Sequence, residues 1–177
     1  MKTLFVAALL FTAIAVTTSC SKKGDTGPAG NANVTLYNFD SKTFTGSTDY
    51  PLSISQGKVD SSVVLAYYNP SVEAESAWYN IPGNGPTNLY VTRGLFFQAN
   101  PTTYTYRIFL HNPAGGPYAG SVTFRKFRIF VIPASTLING RVANAEARAD
   151  INNQTYTESE LKAMPYQQLC SLLGVRP

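Results

Sequence analysis

Two acidic residues, Glu73 and Glu75, flank Ala74 just ahead of Trp78 and are candidates for a hydrolytic pair. Two carboxylates beside an aromatic ring can cleave a glycosidic bond, one as the acid and the other as base or nucleophile. In an extended segment, residues two apart point to the same side, about 7 Å from each other. The segment that follows is rich in loop-forming residues, so we expect both carboxylates to be solvated and the chain not to be an enzyme.

His111 is the only histidine, and any Ser-His-Asp triad or His-based zinc site would have to include it. It precedes Asn112-Pro113 at a predicted hairpin turn, where we expect it to cap the turn or face solvent. Cys170 lies in an apolar C-terminal run, which is typical of a cysteine that packs as a small buried hydrophobe. The sequence therefore predicts no catalytic residue, no cofactor and no metal site with soft ligands. One alternative stays open, a Ca²⁺ site built from loop carboxylates. Its candidates are Asp40, Asp49 and Asp60.

An array of aromatic residues surrounds the loop Pro82-Gly83-Asn84-Gly85-Pro86. It consists of Tyr67, Tyr68, Trp78, Tyr79 and Tyr90. Exposed rings on a β-scaffold can stack on sugar rings, so one interpretation is a glycan-binding platform. Alternating aromatic residues in strands more often belong to a hydrophobic core, and this is the interpretation we favour.

Three basic residues, Arg125, Lys126 and Arg128, fall within one predicted strand. Charges on an edge strand suppress edge-to-edge pairing between proteins, which is their simplest explanation. The alternative is that they bind an anionic glycan such as lipopolysaccharide.

The composition is that of a stiff extracytoplasmic β-protein. Charged residues make up 14% of the chain, while Tyr (11) and Phe (10) are abundant. The formal net charge of +4 is too small and too dispersed for a nucleic-acid-binding surface. We therefore expect no nucleic-acid partner.

Turn residues recur about every ten positions between runs rich in Val, Ile, Thr, Tyr and Phe, a pattern typical of an antiparallel β-sandwich. The predicted strands lie near 34–39, 50–55, 61–68, 76–81, 88–97, 102–111 and 118–132. The fold class predicted for residues 34–177 is all-β, an antiparallel β-sandwich with a small C-terminal helix at 157–173. Thr157 and Glu160 form the capping box of that helix, and Pro165 should kink it. Residues 134–156, with a turn at Asn139-Gly140, form either a long excursion or a short extra hairpin.

The last two predicted strands form a hairpin in which alternate residues share a face. Tyr104, Tyr106, Ile108 and Leu110 should point inward, and Thr103, Thr105 and Arg107 outward. In the returning strand, the apolar positions change from even numbers to odd numbers near Arg125-Lys126. Either a one-residue bulge there or a strand buried on both faces explains this change. We expect Ile129 to be buried and Arg128 to face solvent.

The N-terminus is predicted to be a signal peptide, residues 1–19, with Lys2 before an apolar stretch from Leu4 to Val16. The small residues that lead into Cys20 resemble the lipobox of bacterial lipoproteins. That resemblance implies a diacylglycerol on the sulfur of Cys20, a further acyl chain on its amine and hence a membrane as partner. The alternative is an ordinary secretory signal that leaves Cys20 as a thiol able to pair with Cys170.

Residues 20–33 contain two G-X-Y triplets closed by Gly30, too few for a triple helix, and are predicted to be a flexible tether. A lipobox, this tether, a β-rich domain and the segment 128–133 together resemble uncharacterised Bacteroidota lipoproteins described as collagen-like. The resemblance implies an envelope protein that acts as a structural or interaction module, with an envelope protein or glycan as its partner. Surface-exposed lipoproteins of this group tend to carry an acidic export signal just after the cysteine, so the resemblance implies that a chain with the basic Ser21-Lys22-Lys23 faces the periplasm from the outer membrane rather than the cell surface. The alternatives are a glycan-binding module and, third, a hydrolase.

Overall fold

The computed structural model describes residues 34–100, 102–135 and 146–177. The predicted signal peptide, Cys20, the tether and the Asn139-Gly140 turn lie outside these residues. The strands of the described part are β1 (Thr35–Phe39), β2 (Lys42–Thr45), β3 (Ser47–Leu52), β4 (Ser62–Pro70), β5 (Tyr79–Ile81), β6 (Gly83–Asn84), β7 (Val91–Asn100), β8 (Thr103–His111), β9 (Ser121–Pro133), β10 (Arg148–Ile151) and β11 (Gln154–Thr157). The α-helices are α1 (Gln56–Asp60), α2 (Glu158–Ala163) and α3 (Tyr166–Leu173).

Two antiparallel sheets pack face to face, as the sequence predicts. The central sheet has the order β1-β9-β4-β5, with β2 pairing to the same edge of β9 as β1, and the outer sheet has the order β3-β8-β7-β6. Side chains from both sheets interdigitate to form the sandwich core. In β8, Tyr104, Tyr106, Ile108 and Leu110 are buried in this core, which confirms the predicted inward face of the hairpin. On the other face Thr103 and Arg107 are half-buried, but Thr105, also predicted to point outward, is only 7% exposed.

A bulge in β9 brings the even-numbered apolar residues before it and the odd-numbered ones after it onto the same face of the strand. Lys126 pairs with Asn69 and Phe124 with Pro70, so Arg125 has no partner on β4. Phe124 and Phe127 consequently both point into the sandwich core, and both are completely buried. Beyond the bulge the strand is also apolar on its other face, so both explanations offered by the sequence apply.

The other face of the central sheet is covered by the C-terminal layer, which consists of the hairpin β10–β11 and the helices α2 and α3. Phe130 and Ile132 of β9 pack there against Leu161 and Leu169, in a second core. The capping box forms as predicted: the Thr157 side chain accepts a hydrogen bond from the backbone N–H of Glu160, and the Glu160 carboxylate accepts one from the N–H of Thr157. The predicted helix 157–173 is divided into α2 and α3 because Pro165 cannot continue α2.

The main departures from the predicted strands are near loops. The predicted strand 76–81 begins only at Tyr79, since polar side chains hold the preceding residues in a loop. The chain also forms β2 and the short helix α1, neither of which was expected. Within the described residues, no helix is long and apolar enough to cross a membrane.

Candidate functional site

The predicted aromatic platform is divided between the two cores. Tyr67 and Tyr68 are neighbours on β4 and therefore point to opposite faces of the central sheet. Tyr67, Tyr68 and Tyr90 are 4%, 0% and 3% exposed. A surface on which all five rings stack against a sugar is thus contradicted, and these three side chains are core residues. Trp78 and Tyr79 remain half-buried, but Trp78 packs against the second core and Tyr79 against the sandwich core.

Trp78 is part of a stack that joins the C-terminal layer to the central sheet. Its ring lies parallel to that of Tyr166, with 4.1 Å between the centroids. The guanidinium carbon of Arg128 is 5.1 Å from the Trp78 centroid and 5.9 Å from the Tyr166 centroid. Arg128 also donates hydrogen bonds to the Tyr166 hydroxyl and, at 2.7 Å, to the carbonyl of Arg176. Arg128 was expected to face solvent, but the C-terminal layer covers this face of β9.

Arg125 has a different role from Arg128, because it holds the loop 71–78 in place. Its guanidinium donates to Asn69 Oδ1 at 2.9 Å and to the carbonyls of Ser71 and Glu73 at 3.1 and 3.0 Å. The Asn69 side chain is 1% exposed, and its amide donates to the Ala77 carbonyl at 2.6 Å. These bonds satisfy buried polar groups and hold the loop against the end of β4.

The three basic residues of β9 consequently do not form one anion-binding site. Arg125 points into the loop 71–78 and Arg128 into the aromatic stack, while Lys126 is exposed. The bulge takes Arg125 out of the regular alternation of β9, and the C-terminal layer covers Arg128. The sequence pattern identified a run of charges without showing which faces of the strand are covered.

Three loops meet at one end of the sandwich, which we call the loop end: 71–78, 85–90 and 112–120. Tyr79 donates a hydrogen bond from its hydroxyl to Glu73 Oε1 at 3.3 Å, and the rings of Tyr90 and Tyr118 have their centroids 5.6 Å apart. Burial, with a smaller contribution from the negative charge of Glu73, raises the pKa of Tyr79. Tyr79 is therefore a neutral hydrogen-bond donor at physiological pH and not a base.

The loop end exposes two large apolar side chains that were not among the predicted site residues. Val72 is 80% exposed and Leu89 is 57% exposed. Leu89 follows a turn in which Thr87 and Asn88 have φ values of 52° and 56°, and a β-branched residue such as Thr87 rarely adopts this left-handed conformation. Backbone strain of this kind costs about 1–3 kcal/mol and is concentrated at binding sites. The sequence does contain a signal for this surface, because Val72 and Leu89 are apolar residues placed among the loop-forming residues Gly, Pro, Asn and Ser.

The carboxylates proposed for hydrolysis are not arranged as a catalytic pair. Glu73 is half-buried and accepts the bond from Tyr79, whereas Glu75 is exposed. A cavity of about 100 Å³ lies elsewhere, between β4, β5 and α2. It is lined by Val64, Leu65, Ala66, Tyr67, Asn80, Ile81, Pro82 and Lys162. Neither acid borders this cavity.

The remaining candidate groups are dispersed. The Nδ1 atom of His111 lies 3.3 Å from the carbonyl of Gly115 in the hairpin turn. Burial raises the pKa of the Cys170 thiol, so it stays protonated and weakly nucleophilic. Asp49 is paired with Arg107, and Asp40 and Asp60 are exposed on other segments. Across residues 34–100, 102–135 and 146–177, no group of three or more His, Cys, Asp or Glu side chains is placed to hold a metal ion.

Comparison with known proteins adds no relative to this picture. No protein-family model matches the chain, and no curated protein or solved structure matches it significantly.

Proposed function

We propose that the chain is a membrane-anchored protein of the bacterial cell envelope and that its folded domain acts as a structural or interaction module. The observation that carries this proposal is Cys20, which directly follows the apolar stretch Leu4–Val16 and its small-residue exit. Each buried methylene of an acyl chain contributes about 0.8 kcal/mol to membrane binding. Several acyl chains would therefore anchor the protein stably, where one would bind reversibly.

The tether sets how far the domain reaches from the membrane. Residues 20–33 contain Gly, Pro and small polar residues and end where the sandwich begins at Val34. A flexible chain of this length would span about 20 Å on average and about 50 Å when fully extended. The domain would then stay within about 50 Å of the bilayer. The basic Ser21-Lys22-Lys23, in place of the acidic export signal of the surface-exposed lipoproteins that the chain resembles, supports a periplasm-facing position on the outer membrane.

Replacement of Cys20 tests the anchor. In its bacterial host the wild-type protein should fractionate with membranes, and its intact mass should correspond to a chain that begins at residue 20 and carries acyl groups. Cys20→Ser should be neither acylated nor cleaved after Ser19. The matched control is Cys170→Ala, which alters the other cysteine and should leave the anchor in place. A wild-type product that is free of acyl groups and contains a Cys20–Cys170 disulfide would refute the proposal.

A second candidate function is glycan binding. The loop end is better suited to it than the predicted array of five aromatic residues. Half-buried rings of Tyr79 and Tyr118 lie beside loops that expose Val72 and Leu89, a combination suited to stacking on the apolar face of a sugar. Oligosaccharides released from the host's lipopolysaccharide are a suitable probe for calorimetric titration. Binding that Tyr118→Ala abolishes and Leu95→Ala, on the outer sheet, leaves unchanged would support this candidate. Absence of binding, or equal loss in both variants, would refute it.

A further inference from the structure

β7 forms a largely open border of the outer sheet. β6 covers only its beginning, through the pairs Gly83 with Thr92 and Asn84 with Val91. From Arg93 to Asn100, β7 pairs with β8 on one side, and no other described strand pairs with its second side. This open side carries backbone groups that a strand from another molecule can pair with.

The hydrogen bonds of the neighbouring strands identify which groups are free. In β8, Leu110 donates its N–H to the carbonyl of Gly46, on the side of β3, so even-numbered residues of β8 bond toward β3 and odd-numbered ones toward β7. Leu95 is opposite Arg107, which makes the odd-numbered residues of β7 the ones that bond to β8. Tyr90 agrees with this parity, because its carbonyl accepts the N–H of Gly85 on the outward side. The N–H and C=O groups that point away from the sheet are those of Gly94, Phe96 and Gln98.

The two borders of the outer sheet differ in how they are protected. β3, at the other border, contains the exposed charge of Asp49 and the proline Pro51, both of which discourage strand addition. From Gly94 to Asn100, β7 contains neither a charged residue nor a proline. Leu95, in the middle of its open part, is 50% exposed. β7 has the properties of a pairing edge, and β3 does not.

We propose that two copies of this chain associate through β7, as antiparallel strands related by a two-fold axis at Phe96. In this register Gly94 faces Gln98 of the second copy and Phe96 faces its own equivalent, so every free group of the edge gains a partner. A register centred on Leu95 would instead require Thr92, whose outward side is already paired with Gly83. Of these two registers, the geometry allows only the one centred on Phe96.

Side chains support the same register. Leu95 and Phe97 lie on the outward face of the sheet, where Leu95 would pack directly against Phe97 of the second copy and lose its exposure to water. Arg93 would lie opposite Ala99 of the second copy, so no like charges face each other across the pair. The guanidinium of Arg107 stacks on Phe97 at 4.8 Å from its centroid, and its charge is neutralised by Asp49. The proposal does not depend on acylation of Cys20.

Sedimentation equilibrium of the purified full chain, in detergent matched to the density of the solvent, measures the association. The wild-type chain should sediment as a reversible dimer. Leu95→Lys should raise the dissociation constant at least about tenfold, since it places a charge in the strand pair. Gln98→Pro should act in the same direction because it removes an outward N–H without touching the bonds to β8. The matched control is Val72→Lys, the same kind of replacement at the 80% exposed side chain of the loop end, which should leave association unchanged.

Disulfide trapping tests the register in a Cys20→Ser background. An equimolar mixture of Leu95→Cys and Phe97→Cys chains should cross-link on mild oxidation, because these positions are opposite each other, about 4.5–5.5 Å apart. Either variant alone should not, because its two copies are on a diagonal of about 7–8 Å, beyond disulfide reach. A monomeric wild-type chain, a dimer indifferent to both Leu95→Lys and Gln98→Pro, or cross-linking by Leu95→Cys alone would overturn the proposal. Circular dichroism confirms that each variant is folded.

Discussion

The two faces of the central sheet are covered in different ways. The sandwich core draws on strands from β2 to β9, which lie far apart in sequence. The second core is covered by one contiguous stretch, residues 146–177, whose hairpin and two short helices close over the sheet. Pairing of distant strands costs loop-closure entropy before it brings stability, so we expect the sandwich to form only as a whole. The elements of the C-terminal layer are neighbours in sequence, so we expect this layer to open locally while the sandwich stays folded.

One strand links these two regions. β9 contributes Phe127 and Ile129 to the sandwich core and Phe130 and Ile132 to the second core. Replacements on its two faces should therefore separate the energetics of the sandwich from those of the C-terminal layer.

The largest effect is expected in the sandwich core, from Phe127→Ala. Phe127 is fully buried, and its ring lies 4.4 Å from the centroid of Tyr50 and 5.6 Å from that of Phe39. Removal of a buried phenyl ring should lower the free energy of unfolding by about 3–5 kcal/mol. Denaturant unfolding measures this loss, with Val72→Ala, at an exposed site, as a control that should change stability by less than about 0.5 kcal/mol. A loss below about 1 kcal/mol would contradict the central place given to this ring.

Leu169→Ala addresses the C-terminal layer. Leu169 is fully buried in α3, and its truncation should cost about 2–5 kcal/mol at that site. The neighbouring Cys170 is also fully buried with a raised pKa, so a thiol reagent reaches it only when the layer opens. We expect Leu169→Ala to accelerate alkylation of Cys170 in the folded protein much more than Phe127→Ala does.

The rate of Cys170 alkylation without denaturant decides between local and global opening, and Cys20→Ser removes the competing thiol. Equal acceleration by the two replacements would mean that the two regions unfold as one unit. That result would remove the distinction between them.

The contrast between the two regions also explains what the sequence predicted. Alternation predicted the inward face of β8 because its apolar residues are fully covered while the other face is mostly half-buried, and the capping box at Thr157 is a local signal that packing does not alter. Alternation could not say that the second face of β4 is covered by a distant segment. Tyr67 and Tyr68 therefore looked like members of one array although they belong to different cores.

Polar residues in the loops were harder to interpret from sequence. Arg125 and Asn69 act together, but they are 56 positions apart, and nothing local in the sequence joins them. The open edge of β7 was also beyond sequence reasoning, because it depends on which strands are neighbours in the sheet.

Two arginines allow covered and open faces to be compared with the same side chain. Arg128 lies under the C-terminal layer with Trp78 and Tyr166, and Arg107 lies on the open face of the outer sheet with Phe97. Arg128→Ala removes two cation–π contacts and two charged hydrogen bonds, and should cost about 1–3 kcal/mol. Trp78 is the only tryptophan, so its fluorescence should report the change. The control Lys126→Ala, on the same strand, should cost less than about 0.5 kcal/mol, and a similar loss in both variants would contradict the role of the stack.

The smallest effect is expected on the open face, from Asp49→Asn. Arg107 donates two hydrogen bonds to this carboxylate, at 2.6 and 2.7 Å, and thereby holds the pKa of Asp49 below its ordinary value. A carboxyl whose pKa is lower in the folded state stabilises the fold above its unfolded pKa, and this stabilisation is lost as the pH falls through the folded value. Wild type should thus be slightly more stable than Asp49→Asn at about pH 7, and the two unfolding midpoints should converge as the pH falls below the folded pKa of Asp49.

The side chains of Arg107 and Asp49 are 39% and 44% exposed, so solvent and salt screen their attraction. The difference between wild type and Asp49→Asn should therefore shrink as salt is added and stay well below the effect of Arg128→Ala. Asp60→Asn, at an exposed carboxylate at the end of α1, is the control and should change the free energy of unfolding at about pH 7 by less than about 0.5 kcal/mol. A stability difference for Asp49→Asn that persists at low pH, or that equals the effect of Arg128→Ala, would contradict this comparison. It would show that a covering layer does not determine how much an arginine contributes to the free energy of unfolding.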